Sequence, residues 1–179
     1  MQRAVFLDRD GVINRALVRD GKPYPPANLA EMEILPDVAD ALEALHDAGF
    51  MLIVVTNQPD VARGTTSKAI VEEINTYLMS CLPIDEFRTC YHDSSDACDC
   101  RKPLPGSLIA AANMHAINLG ESYMIGDRWR DIEAGQTAGC KTIFIDYNYN
   151  EKQPASIDFR VKSLLEASHI IIMKKNEKN

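Results

Sequence analysis

The strongest constraint in this sequence is an alternation. Short, nearly uninterrupted apolar runs, each ending on a polar residue, are separated by segments with helical spacing. The runs are AVFLD at 4–8, FMLIVVTN at 50–57, RTCYH at 88–92, SYMIGD at 122–127 and KTIFID at 141–146. Their length and their flanking turn residues predict buried strands. Helices are predicted between them over 36–48, with Val38, Leu42 and Leu45 on one face, and over 67–79, 106–117 and 130–138. Gly49, Gly120 and Gly139 stand where helix C-caps belong. Strand and helix in turn predict an α/β fold, a Rossmann-like parallel sheet with right-handed crossovers. Because the strands are apolar along their whole length, helices should cover both faces of that sheet.

Two stretches fall outside the alternation. Residues 14–35 contain Gly21, Pro23, Pro25 and Pro26 and no helical period, so a loop or small flap is predicted directly after the first strand. Residues 161–173 predict a short helix and then an edge strand, HIIIM, with a frayed charged end after Lys174. With 179 residues, 46% of them hydrophobic, one core and one domain over 1–179 are expected. A net charge of -7 argues against a nucleic-acid or anionic-membrane surface. No secretory-type start and no run of roughly 18 apolar residues is present, so a cytoplasmic location is expected.

Three predicted strands end in reactive groups: Asp8 and Asp10, then Thr56 and Asn57, then Gly126 and Asp127. Parallel strands bring their carboxyl ends to one edge, where open α/β sheets bind ligands, so these residues and Lys102 can share a pocket. A single Asp at a strand end is more often a turn former or a helix cap. Several such ends together are harder to assign to chance. Clustered acids repel unless neutralised, which calls for a divalent cation, and an all-oxygen donor set points to Mg²⁺. The chain lacks a G-x-x-x-x-G-K-[ST] loop, a G-x-G-x-x-G after the first strand and a G-x-S-x-G elbow.

The segments FLDRDGVIN, TNQ, CRKPLPG and IGDRWRDIEAG, in that order, resemble the four motifs of the haloacid dehalogenase superfamily of phosphohydrolases. The resemblance spans residues 4 to about 147, and its details are similar to the branch acting on heptose 1,7-bisphosphate and on histidinol phosphate. It implies that Asp8 is a nucleophile forming an aspartyl phosphate and that Asp10 is the general acid and base. Mg²⁺ would lie between Asp8, the Asp10 backbone carbonyl and Asp127. Lys102 and Thr56 would hold the phosphoryl oxygens, and Asn57 would position nucleophile or substrate. Asp131 could support a metal-bound water, or be an acid in the first helical turn favoured by the helix dipole.

Cys90, His92, Cys98 and Cys100 form a C-x-H-x5-C-x-C arrangement. Four such ligands suit a closed, structural Zn²⁺ site, with free thiols as the alternative, and the resembling branch carries a zinc-binding loop at this place. Zinc would fix the loop leading into Arg101 and Lys102. Cys81 and Cys140 are most simply small core residues.

No segment is long enough for a separate cap domain, so loops alone should cover the pocket. Arg63 and Arg101 could bind a second anionic group, as in a sugar bisphosphate, or be merely solvated. The substrate is expected to be a small phosphorylated molecule, with no nucleic-acid or membrane partner and a monomeric chain. TNQPDVARG is closer to the heptose enzymes and the short zinc spacer to the histidinol ones. A receiver-type domain, phosphorylated on Asp and not turned over, is the alternative of another class. The second acid at Asp10, GDRWRD and the zinc loop argue against it.

Overall fold

The computed structural model describes residues 1–177. In chain order its elements are β1 (Ala4–Leu7), β2 (Leu17–Arg19), β3 (Lys22–Tyr24), α1 (Val38–Asp47), β4 (Met51–Asn57), α2 (Lys68–Cys81), β5 (Glu86–Cys90) and α3 (Gly106–His115). They continue with β6 (Tyr123–Gly126), α4 (Trp129–Ala138), β7 (Lys141–Ile145), β8 (Phe159–Val161) and α5 (Leu164–Asn176). Six strands form one parallel sheet in the order β5-β4-β1-β6-β7-β8.

Period-two alternation sorts the strand side chains between two cores. Val5, Leu7, Leu52, Val54, Ile125 and Ile143 face one way and meet Leu42 and Leu45 of α1, Ile74 and Leu78 of α2 and Ile171 of α5. Ala4, Phe6, Ile53, Val55 and Met124 face the other way and meet Leu108, Ala111 and Ala112 of α3. Helix α4 lies on this second face, where Gly135 comes so near Met124 that an added Cβ would sit 2.5 Å from the Met124 Cβ. Both faces of the central strands are therefore dry, which is why β1, β4 and β6 carry no polar alternation. Local signals agree with the packing: Ser67 caps α2 by accepting from the Ile70 amide at 3.3 Å.

The chain leaves β1 towards β4 and β5, then crosses back to β6 on the other side of β1. That reversal opens a crevice at the carboxyl ends of β4, β1 and β6. Register sets the depth: Leu7 pairs with Val54 on one side and Ile125 on the other, so Asp8, Val55 and Gly126 come next at one level.

Three local expectations are corrected. Gly120 caps no helix; it lies in a 3-10 turn, and α3 ends instead at Ala116 in the left-handed region, φ 51°. HIIIM is helical, as part of α5, and the edge strand is Phe159–Val161. The β-branched content of HIIIM suggested a strand, but Leu164, Ala167, Ser168 and Ile171 form a buried stripe with helical period that packs against α1. The helix also continues past Lys174, and Lys175 Nζ donates to the Ala48 carbonyl at 2.7 Å. Residues 14–35 are a flap as predicted, built around an antiparallel β2–β3 hairpin. Among the described residues, no helix is long and apolar enough to cross a membrane.

Candidate active site

The carboxyl edge of the sheet opens into a cavity of about 450 Å³. Asp8, Asp10, Asn57, Lys102 and Asp131 lie on its inner side, hairpin residues Lys22–Pro25 on another, and Arg63, Arg101, Arg128 and Arg130 around it. Thr56 is buried behind this wall. Its Oγ1 accepts from Gln58 Nε2 at 3.0 Å.

At the base of the cavity, carboxylate oxygens of Asp8, Asp127 and Asp131 lie within 4.8 Å of one another, all three residues buried. Lys102 Nζ donates to Asp8 Oδ1 at 2.9 Å and to the Val55 carbonyl at 2.6 Å, and meets Asp131 Oδ1 at 2.6 Å. Burial would push this ammonium down, but Asp131 and Asp8 more than reverse that and hold it above the ordinary lysine range. Burial, then the charge of Asp131, pushes Asp8 up to about 6. Burial and the charges of Asp8 and Asp131 push Asp127 well above the usual carboxylate range. One ammonium does not neutralise three buried carboxylates, and Asp127 Oδ1 has no hydrogen-bond partner among the described residues. This donor set fits a hard divalent cation, which would take the unpartnered oxygen and relieve the repulsion.

Asp131 already has two tasks. Besides meeting Lys102, its Oδ2 accepts from the Arg128 amide at 3.0 Å and so caps α4. Asp10 is not part of the three-carboxylate cluster. Its carboxylate accepts from Arg9, from Asn14 Nδ2 at 3.0 Å and from Gln58 Nε2 at 2.8 Å. Arg9 is fully buried and its other Nη donates to Asn75 Oδ1 at 2.9 Å. The Asn57 side chain is engaged with the Lys102 backbone, donating to its carbonyl at 2.9 Å and accepting from its amide at 3.1 Å. It thus positions Lys102 from the end of β4.

Gly11, with φ +90°, is required here. A Cβ built on it would stand 2.0 Å from Asp127 Oδ2, so only glycine lets the β1 loop lie flat on this carboxylate. Tyr149 donates its hydroxyl to the same oxygen at 2.9 Å. Burial and the Asp127 charge push the Tyr149 phenol well above the ordinary tyrosine range, which keeps its proton in place.

The four predicted soft ligands also converge. Cys90 Sγ, His92 Nδ1, Cys98 Sγ and Cys100 Sγ lie within 4.8 Å of one another, and all five cysteines are free thiols. Tetrahedral zinc with bonds of about 2.3 Å needs ligand separations of roughly 3.8 Å. The separations are 3.9 Å for Cys90–Cys98, 3.6 Å for Cys90–His92, 3.4 Å for His92–Cys100 and a shorter 3.0 Å for Cys90–Cys100. Burial and the neighbouring thiols push Cys100 up, a penalty that a bound dication would reverse. The loop sits beside the cavity, and Arg101 Nη1 donates back to the His92 carbonyl at 3.2 Å.

The arginines differ in how far they are already neutralised. Arg63 grips Asp93 through two bonds of 2.7 Å, and Arg128 is paired with Glu151. Arg101 lies 4.0 Å from Asp93. Arg130 forms no ion pair among the described residues and stacks over Trp129, and burial with the Arg128 and Arg101 charges pushes its guanidinium down. Sequence reasoning did not single out Arg9, Asn14, Gln58, Arg128, Arg130 or Tyr149. Arg9, Asn14, Gln58, Arg128 and Arg130 stood inside the quoted motifs, whereas nothing around Tyr149 signalled a role.

Residues 99–167 match the HAD-hydrolase-like family. The chain is 36% identical over 151 residues to D-glycero-beta-D-manno-heptose-1,7-bisphosphate 7-phosphatase of Escherichia coli K12, covering 78% of this chain and 76% of that one. It is 32% identical over 155 residues to the enzyme of that name from Pseudomonas putida, covering 84% and 86%. A crystal structure of D,D-heptose 1,7-bisphosphate phosphatase from B. bronchiseptica, complexed with magnesium and phosphate, superposes with a TM-score of 0.84 at 26% identity, covering 97% of this chain and 99% of the other.

Proposed function

Since the chain belongs to the haloacid dehalogenase-like phosphatases and is a phosphoric monoester hydrolase, we propose that it removes the 7-phosphate of D-glycero-D-manno-heptose 1,7-bisphosphate through an aspartyl-phosphate intermediate. The observation that carries this reading is the juxtaposition of the Asp8 carboxylate cluster with a cavity ringed by four guanidiniums. One end suits a phosphoryl group in transfer, the other a second anionic group. Residues 1–179 form one catalytic domain in this reading, because the segments that carry the site residues all follow strands of a single sheet.

In this mechanism Lys102 occupies Asp8 Oδ1 and leaves the other oxygen to attack phosphorus. The new Asp8–phosphorus bond forms as the bond to the sugar C7 oxygen breaks, and Asp10 gives that oxygen its proton. Asp10 then takes a proton from the water that cleaves the acyl phosphate. Arg9, Asn14 and Gln58 fix where the Asp10 carboxyl stands for both transfers. Thr56, buried behind the cavity wall, accepts from Gln58 and so steadies the amide that also holds Asp10. A Mg²⁺ held by Asp8, Asp127 and the Asp10 backbone carbonyl would supply the charge neutralisation that lets a carboxylate approach a phosphate dianion.

Zn²⁺ on Cys90, His92, Cys98 and Cys100 would be structural, since all four positions are filled by protein. Thiols kept free for this purpose suit a reducing compartment, which supports a cytoplasmic enzyme.

Two measurements test the reading. With Mg²⁺, the purified protein should release phosphate from the heptose bisphosphate with a higher kcat/KM than from histidinol phosphate, and EDTA should abolish release until Mg²⁺ is returned. A preference for histidinol phosphate would move the chain to that branch. Arg101→Ala should raise KM for the bisphosphate by about tenfold, and less for a monophosphate of similar size, because a charge-assisted contact to the remote phosphate is lost. Equal losses on both substrates would show that Arg101 only supports the zinc loop.

A further inference from the structure

The segment Tyr147–Asn150, after β7, takes no part in the mechanism above, yet it is built against the carboxylate cluster. Tyr149 donates to Asp127 Oδ2 at 2.9 Å, and Tyr147 donates to the Gly11 carbonyl at 3.0 Å. The two rings stack with centroids 5.5 Å apart. Gly11 lies directly against Oδ2 of Asp127, in space where no Cβ would fit. One oxygen of the carboxylate is thus enclosed by backbone and phenol. The other, Oδ1, is buried and has no hydrogen-bond partner among the described residues, in a carboxylate that clusters with those of Asp8 and Asp131.

We infer that Tyr149 is a positioning residue for Asp127: it commits Oδ2 to a hydrogen bond and presents Oδ1 alone to a divalent cation. This rests on the reading of Asp8 and Asp127 as cation ligands. A carboxylate can turn about its terminal torsion, which is broad and nearly two-fold. Without the phenol, only the contact with Gly11 resists that turn, and each wrong orientation lowers the affinity for the cation. Hydrogen-bond partners of metal-ligating side chains generally contribute in this way, and their removal weakens binding by about 10–100-fold.

The experiment is calorimetric titration of Mg²⁺ into the full-length protein and its Tyr149→Phe, Tyr147→Phe and Asp127→Asn variants. Melting temperature and zinc content are followed as checks on the fold. Tyr149→Phe keeps the stacked ring and removes one hydroxyl, so it should bind Mg²⁺ about 10–100-fold more weakly. In the phosphatase assay its Mg²⁺ requirement should rise while kcat at saturating Mg²⁺ returns to near the wild-type value. A purely structural role would lower the melting temperature and leave this split unmoved. Tyr147→Phe should bind as the wild type does, because its hydroxyl meets Gly11 and not Asp127. If Tyr149→Phe binds as tightly as the wild type while Asp127→Asn binds poorly, the assignment to Tyr149 is overturned. If Asp127→Asn itself binds like the wild type, the cation reading falls and this inference with it.

Discussion

Asp8→Asn should abolish turnover, with phosphate release reduced by at least about 10⁴-fold, the scale on which loss of a covalent nucleophile acts. The fold should survive. Asn retains the oxygen that accepts from Lys102 Nζ and removes one of three carboxylates crowded within 4.8 Å. Its melting temperature should therefore equal or exceed that of the wild type when both are free of Mg²⁺. Phosphate release near the wild-type rate from the purified variant would eliminate the aspartyl-phosphate mechanism.

Asp10→Asn should behave differently, slowing both chemical steps and also weakening the fold. Arg9 is fully buried, and Asp10 is its counter-charge. Removing one member of a buried pair leaves the other uncompensated, at about 3–5 kcal/mol. The two variants are thus distinguished by melting temperature as well as by rate.

The second large effect should follow loss of a soft ligand. His92→Ala or Cys98→Ser should lower zinc content by elemental analysis and reduce both melting temperature and activity. Between Cys90 at the end of β5 and Gly106 at the start of α3 there is no regular helix or strand, only a few turn hydrogen bonds, so side-chain links contribute much of this loop's order. Structural zinc contributes on the order of 10–16 kcal/mol to isolated zinc-finger peptides, and a preformed sheet should reduce that to a fraction. Activity should fall without vanishing, because Asn57 still grips the Lys102 backbone from β4. Unchanged zinc content and melting temperature in both variants would remove these residues from the ligand set.

The strands and most helices were legible because their signals are local or periodic: apolar runs of strand length, a Ser67 cap, and Gly49 and Gly139 at helix ends. HIIIM misled because three consecutive β-branched residues favour a strand on local grounds. The stripe from Leu164 to Ile171 decides otherwise through packing on α1. Gly120 misled for a similar reason, since Ala116 closes α3 four residues earlier at a positive φ.

For the site, the sequence alone determined the chemistry: which acids, which lysine and which thiols could act together. A parallel sheet must deliver its strand ends to one edge, so residues far apart in sequence were placed together without coordinates. Tertiary structure decided how those groups are occupied. It engaged Arg63 with Asp93 and Arg128 with Glu151 while leaving Arg130 without an ion pair among the described residues, turned Asn57 onto the Lys102 backbone, and set Arg9 under Asp10. It also brought Tyr149, 22 residues beyond Asp127, onto one oxygen of that carboxylate. Such pairings depend on distances of about 3 Å between side chains on different elements. Periodicity and motif spacing set which edge of the sheet a residue reaches, whereas the partner it meets there is chosen by the packing of the loops.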